Sequence, residues 1–175
     1  RNTFQRGQYG IFCTNSDVYV KQNSFDFVLN TAIKGDGLYQ NKSVNIMNNN
    51  IFTTVKTGID LQKGINSTIQ GNKFYSGINF GVFWQDNSNR QLLIKGNDFY
   101  NNNWAAIMTN ANNGVQTQIL INGNNLYGPW YADGIVVQEW ALSSTPSYQV
   151  LDINSNSIGT ATNRIGNGII IRKVR

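Results

Sequence analysis

Residues 69–74 read IQGNKF, and the same figure returns at 94–99 as IKGNDF. An apolar residue opens it, Asn stands three places on, and an apolar residue closes it two places later. Four more copies run Val20–Asn23–Phe25, Ile46–Asn49–Ile51, Ile121–Asn124–Leu126 and Ile153–Asn156–Ile158. Successive Asn are 26, 23, 25, 27 and 32 residues apart. Self-similarity at such a period marks a solenoid, in which each repeat buries its apolar face only against its neighbours.

A second figure interleaves with the first. A small residue precedes a branched apolar one at Gly10–Ile11, Gly37–Leu38, Gly58–Ile59, Gly81–Val82, Ala106–Ile107, Gly134–Ile135 and Gly168–Ile169, and from the second pair on each stands 7 to 12 residues after a closing apolar residue. One coil is then a Gly-led strand, a connection, a second strand, an Asn turn, a short third strand and another connection. Alternation inside the strands turns one residue inward and the next outward. Ile119 and Ile121 face in and Leu120 out; Val18 with Val20, Leu92 with Ile94, and Leu151 with Ile153 repeat this. A sharp corner needs a left-handed residue, which Asn tolerates well, so that conformation is assigned to the six Asn. Stacking sets their side chains about 4.8 Å apart, close enough for an amide ladder.

The two figures resemble the repeat of right-handed parallel β-helix proteins of the pectate lyase-like superfamily. The resemblance is carried by GIDLQKGINSTIQGNKFYSG (58–77) and GVFWQDNSNRQLLIKGNDFYNN (81–102) and covers nearly the whole chain. It implies an all-β, single-stranded right-handed parallel β-helix of about six to seven coils, forming one domain over residues 1–175. Superfamily members include pectin and alginate lyases, polygalacturonases, epimerases and the tailspikes with which phages bind or degrade bacterial surface glycans. The 28 Asn and only 13% charged residues look most like the phage and bacterial-surface branches. The implied setting is extracellular or on a virion surface, the implied partner a polysaccharide, and the tailspike likeness adds a homotrimer. Calcium enters only through this likeness.

Bulk properties agree with a rod. Polarity comes from Asn, Gln, Ser, Thr and Gly, and mean hydropathy is −0.35. Seven strands led by a small residue at this spacing make a rod roughly 30 Å long. Nothing approaches a membrane span, and no signal peptide is visible. The chain opens mid-repeat and shows no amphipathic helix at either end to cap it. That pattern is expected of a section of a longer rod, or of ends that partner chains cover. The single Cys13 sits at an inward place like Leu61 and Val137, as expected of a buried inert thiol.

Solenoid insertions gather on one face, often the one that binds. From small residue to Asn the spacings are 13, 12, 14, 16, 18 and 22 residues, so one corner grows from the fourth coil onward. Its loops begin at Gln85, Asn110 and Gln138, and they carry Arg90 and Trp140. Asp86 and Glu139, the only Glu, each stand five residues after a strand-leading Gly. Two coils apart, roughly 10 Å by backbone, they are the expected catalytic acids of an inverting hydrolysis. The competing reading is a pair of solvated loop acids.

Asp60 is expected to point outward in a column with Phe12, Tyr39, Phe83, Met108, Val136 and Ile170. That stripe reads as a glycan groove or as the interface between sister rods. Trp104, Trp130, Tyr131 and Asp133 cluster before the small residues of the later coils, where flat rings suit sugar C–H faces or simple packing between turns. Trp84 falls at an inward place. Lys56, Lys63, Arg90 and Lys95 are the cations available to a lyase. The chain has no His, no calcium-loop motif, no phosphate-binding glycine loop and no basic run suited to nucleic acid. The expectation is a protein that binds a cell-surface or extracellular polysaccharide; the residues leave open binding alone, hydrolysis and a lyase reaction. The alternative is a non-enzymatic structural or adhesin rod that self-associates, as a trimer on the tailspike likeness.

Overall fold

A computed structural model describes residues 1–37, 42–48, 50–63, 66–86, 90–112, 117–129, 132–140, 150–159 and 165–174. Of residues 86, 111, 112, 139, 140, 173 and 174 it describes the backbone only. The described secondary structure is strand and turn, and every strand pairing is parallel.

Sheet I holds β1 (Thr3–Gln5), β4 (Ser24–Asp26), β7 (Ile51–Thr53), β10 (Lys73–Phe74), β13 (Asp98–Tyr100), β16 (Asn125–Tyr127) and β19 (Ser157–Ile158) in that order. Sheet II holds β2 (Tyr9–Thr14), β5 (Thr31–Asp36), β8 (Thr57–Gln62), β11 (Phe80–Asp86), β14 (Ala105–Asn112), β17 (Asp133–Trp140) and β20 (Asn167–Val174). Sheet III holds β3 (Val18–Lys21), β6 (Ser43–Met47), β9 (Asn66–Gln70), β12 (Gln91–Lys95), β15 (Gln118–Asn122) and β18 (Val150–Asn154). The chain visits II, III and I in turn, and every third strand stacks on the one before.

Inward residues of the three sheets meet in one continuous core. Sheet I contributes a column of Phe4, Phe25, Phe52, Phe74 and Phe99, whose rings stack at 4.9, 5.0, 4.5 and 4.5 Å. The small residue opening a sheet II strand lies against this column. A Cβ on Gly81 would stand 2.6 Å from Ala106 O and 2.6 Å from the Phe99 ring. Cys13 and Trp84 face inward as expected; Trp84 is fully buried, and burial raises the half-buried thiol of Cys13.

The Asn ladder exists, with two corrections. Its members are Asn2, Asn23, Asn50, Asn72, Asn97, Asn124 and Asn156, so Asn50 takes the place expected for Asn49. Asn49 itself lies outside the described residues. Phe52 likewise replaces Ile51 as the inward residue, pairing with Phe25 and Phe74. The second coil carries one extra residue at this corner, and three consecutive Asn conceal it. The second correction concerns conformation. The left-handed residue is one that leads into the ladder, at Gln22, Asn48, Gly71, Gly96, Gly123 and Ser155, with φ between 53 and 66°. The ladder Asn contribute their side chains, and the turn is made one residue before them, or two residues before in the case of Asn50.

The second coil corrects a third expectation. Ala32–Ile33 leads β5, in register with Gly10–Ile11, and Gly37 follows that strand. Leu38 lies outside the described residues. Measured from Ala32 to Asn50, the long corner of this coil is 18 residues. The corner is therefore already enlarged in the second coil, and growth confined to the fourth coil onward does not hold.

Candidate functional site

The outward column of sheet II reads Phe12, Lys34, Asp60, Phe83, Met108, Val136, Ile170. Lys34 fills the place expected for Tyr39, which lies outside the described residues. That exchange puts charge where an apolar stripe was expected. Lys34 Nζ lies 3.9 Å from Asp60 Oδ2, and Gln62 Nε2 donates to Asp60 Oδ1 at 2.9 Å. Two residues after Lys34, Asp36 Oδ2 accepts from Lys63 Nζ at 3.2 Å. Asp36 Oδ1 is buried without a partner among the described residues. Two carboxylates and two ammonium groups therefore share one half-buried patch.

Burial lifts the Asp60 carboxyl above the ordinary carboxylate range; Gln62 and Lys34 oppose that shift and Asp36 reinforces it. Folded Asp60 thus keeps its proton to higher pH than unfolded Asp60. Its contribution to stability is full below the unfolded value, about 4, and is lost as pH rises through the folded one. Asp60→Asn removes that loss. In thermal melts the variant is expected to gain on the parent as pH rises from acid to neutral. Parallel pH curves for the two proteins would mean that the Asp60 charge carries no net penalty.

Phe83 continues the patch. Its ring lies 5.8 Å from that of Phe80, and Phe80 meets Trp104 edge-on at 5.4 Å and 82°. Trp104 is 63% exposed, so an aromatic run leads from the Asp60 column to the corner between sheets I and II. Asp133 opens β17, receives a hydrogen bond from Asn167 Nδ2 at 2.8 Å, and donates its backbone N–H to Trp104 O at 2.8 Å. Trp130 and Tyr131 lie outside the described residues.

Asp86, Ala111 and Glu139 pair in one register across β11, β14 and β17. The two acids are two strand spacings apart, roughly 10 Å by backbone. Trp140 follows at the end of β17, opposite Asn112. The side chains of Asp86, Glu139 and Trp140 lie outside the described residues. Arg90 sits across the long corner, half-buried before β12, and its carbonyl accepts from Gln118 N at 2.9 Å.

Two features escaped the reading of the residues. Lys34 and Asp36 were hidden because they precede Gly37, which was read as the start of the strand they end. The other is a ladder of Tyr75, Tyr100 and Tyr127 on the outer face of sheet I, with ring centroids 5.4 Å apart at both steps. Its signal was present as a Tyr directly after the closing apolar residue in three copies of the figure. Desolvation, with Asp98 and the flanking tyrosines, raises the Tyr100 phenol. Among the described residues no three His, Cys, Asp or Glu gather as a metal site.

Three parallel sheets wound into stacked coils, with a polar and aromatic outward face, define a parallel β-helix protein. A family model described as "Right handed beta helix region" matches residues 1–141, and the chain belongs to that family. No curated protein and no solved structure matches it. Among the described residues no helix is long and apolar enough to cross a membrane.

Proposed function

We propose that this chain binds an extended polysaccharide of a cell surface or extracellular matrix along the outward face of sheet II, and hydrolyses it at the long corner. The observation that supports this is the half-buried patch of Lys34, Asp36, Asp60 and Lys63, continued by Phe83, Phe80 and Trp104. A polymer lying along the rod meets a new side chain about every 4.8 Å. Sugar hydroxyls both donate and accept, and the carboxylates and ammonium groups of this patch offer partners of both kinds. Aromatic rings cover the C–H faces of sugars. The setting is extracellular or a virion surface, as in the tailspikes that the repeat resembles.

Hydrolysis is assigned to Asp86 and Glu139. One carboxylic acid protonates the leaving glycosidic oxygen while the other, as carboxylate, takes a proton from the attacking water. A backbone separation of roughly 10 Å lets side chains of this length reach the 6.5–9.5 Å that admits a water molecule. Asp86→Asn and Glu139→Gln are each expected to slow the release of reducing ends by about a hundredfold or more. Variants as fast as the parent would remove the pair from the mechanism. Products bearing a new ultraviolet-absorbing double bond would reassign the reaction to a lyase.

The alternative is a structural or adhesin rod that packs this face against sister chains. Phe12, 55% exposed at the head of the column, favours it. The Lys34–Asp60 pair weighs against it, since burying that pair in a trimer desolvates both charges. Light scattering separates the two: a stable trimer without glycan affinity supports the rod, and a glycan-binding monomer the first assignment.

A further inference from the structure

Between sheet I and sheet II the chain turns a short corner in every coil. In the first coils this corner forms a groove of about 610 Å³. Val28 and Val55 make its buried floor, Phe27 and Leu29 stand exposed on it, and Arg6 and Lys56 edge it. Arg6, Phe27, Thr54 and Gly77 are the left-handed corner residues of four successive coils, with φ of 59, 51, 50 and 87°. A bulky Phe is an unfavourable choice for that conformation, and here its ring stays 57% exposed and so contributes little to the core.

The charge of the groove has one sign. Among the described residues no acidic one lines it. Lys34, Lys42 and Lys63 each have a carboxylate partner, whereas Arg6 and Lys56 have none among the described residues. Asp26, adjacent to Phe27, is engaged by Thr53 Oγ1 at 2.7 Å and Gln5 Nε2 at 3.5 Å. The strip continues onto the following coils through Asn79, whose Oδ1 accepts from Asn103 Nδ2 at 3.3 Å, to the exposed Trp104.

We infer that this groove is a subsite for an acidic polysaccharide, with its anionic groups on Arg6 and Lys56 and the C–H face of a sugar ring on Phe27 and Leu29. The inference rests on the polysaccharide-binding function proposed above and narrows it to anionic polymers. A neutral glycan would cover two cations and neutralise neither. An acidic one meets both the charge and the apolar floor.

The test titrates the parent with polygalacturonate, dextran sulfate and neutral dextran. Polygalacturonate, dextran sulfate or both are expected to bind, more weakly as salt rises, and dextran to bind least. The double variant Arg6→Gln/Lys56→Gln is expected to weaken polyanion binding about tenfold. Phe27→Ala is expected to weaken it without changing the salt dependence. Lys21→Gln/Lys73→Gln removes the same charge from the outer faces of sheets III and I and is expected to leave affinity unchanged. Equal weakening by both double variants overturns the subsite in favour of diffuse attraction. Polymer binding that ignores Arg6, Lys56 and Phe27 overturns the subsite and leaves polysaccharide recognition standing. Failure to bind any of the three polymers at low salt sinks both.

Discussion

Asn97→Ala is expected to lower the unfolding free energy by about 3–5 kcal/mol. Asn97 is fully buried and makes hydrogen bonds in both directions along the stack. Its Oδ1 accepts from the Asn72 backbone N–H at 2.9 Å and from Asn72 Nδ2 at 3.2 Å. Its Nδ2 donates to Ile69 O at 2.9 Å, Lys95 O at 3.2 Å and Asn124 Oδ1 at 3.0 Å. Alanine leaves several of these buried groups unpaired, and each such group costs about 1–3 kcal/mol. Asn97→Asp is expected to be at least as damaging at neutral pH, because a carboxylate cannot donate to the Ile69 carbonyl or to Asn124. Asn125 is the control. It stands next to the ladder, and its Nδ2 bonds Asp98 at 2.8 Å on the outer face, so Asn125→Ala is expected to cost about 1 kcal/mol or less. Urea unfolding measures all three. Equal losses at Asn97 and Asn125 would mean that the ladder adds nothing beyond an ordinary surface hydrogen bond.

Phe74→Ala is expected to cost a further about 3–5 kcal/mol when made separately. The ring is fully buried between Phe52 and Phe99, 4.5 Å from each and within 4° and 7° of parallel. Its removal opens a cavity that the stacked backbones cannot close without breaking pairings in three sheets. Phe74→Leu is expected to cost much less, about 1.5 kcal/mol, because Leu126 already fills the equivalent position beside Phe99. A Leu variant as unstable as the Ala variant would show that ring stacking, and not filled volume, holds the column. Asn97 and Phe74 stand in neighbouring coils, so their combined loss need not be additive.

Much of the architecture was legible because it is written twice, once in strand alternation and once in the longer period of the coil. Inward and outward sides were readable at Ile119, Leu120 and Ile121, and at Cys13 and Trp84. The second coil was not. Asn48, Asn49 and Asn50 satisfy the same short figure in more than one register, and Ile51 and Phe52 are both apolar. Ala32–Ile33 and Gly37–Leu38 are equally good small–branched pairs. Composition cannot separate such alternatives. The Phe25 and Phe74 rings separate them, since only Phe52 can lie between them. The patch at Asp60 stayed hidden for the same reason: one misplaced strand start moved Lys34 and Asp36 off the face that they occupy.

By itself the amino-acid sequence determined that the backbone winds into stacked parallel strands with an amide ladder, because those features depend on residue type at a repeated interval. It also placed Asp86 and Glu139 in one register, since both are counted from a Gly that leads its strand. Only the tertiary structure decided which Asn joins the ladder, which residue before it turns left-handed, and which cations find a carboxylate. Those choices depend on what stands one coil above and below. A chain read in order does not display its vertical neighbours.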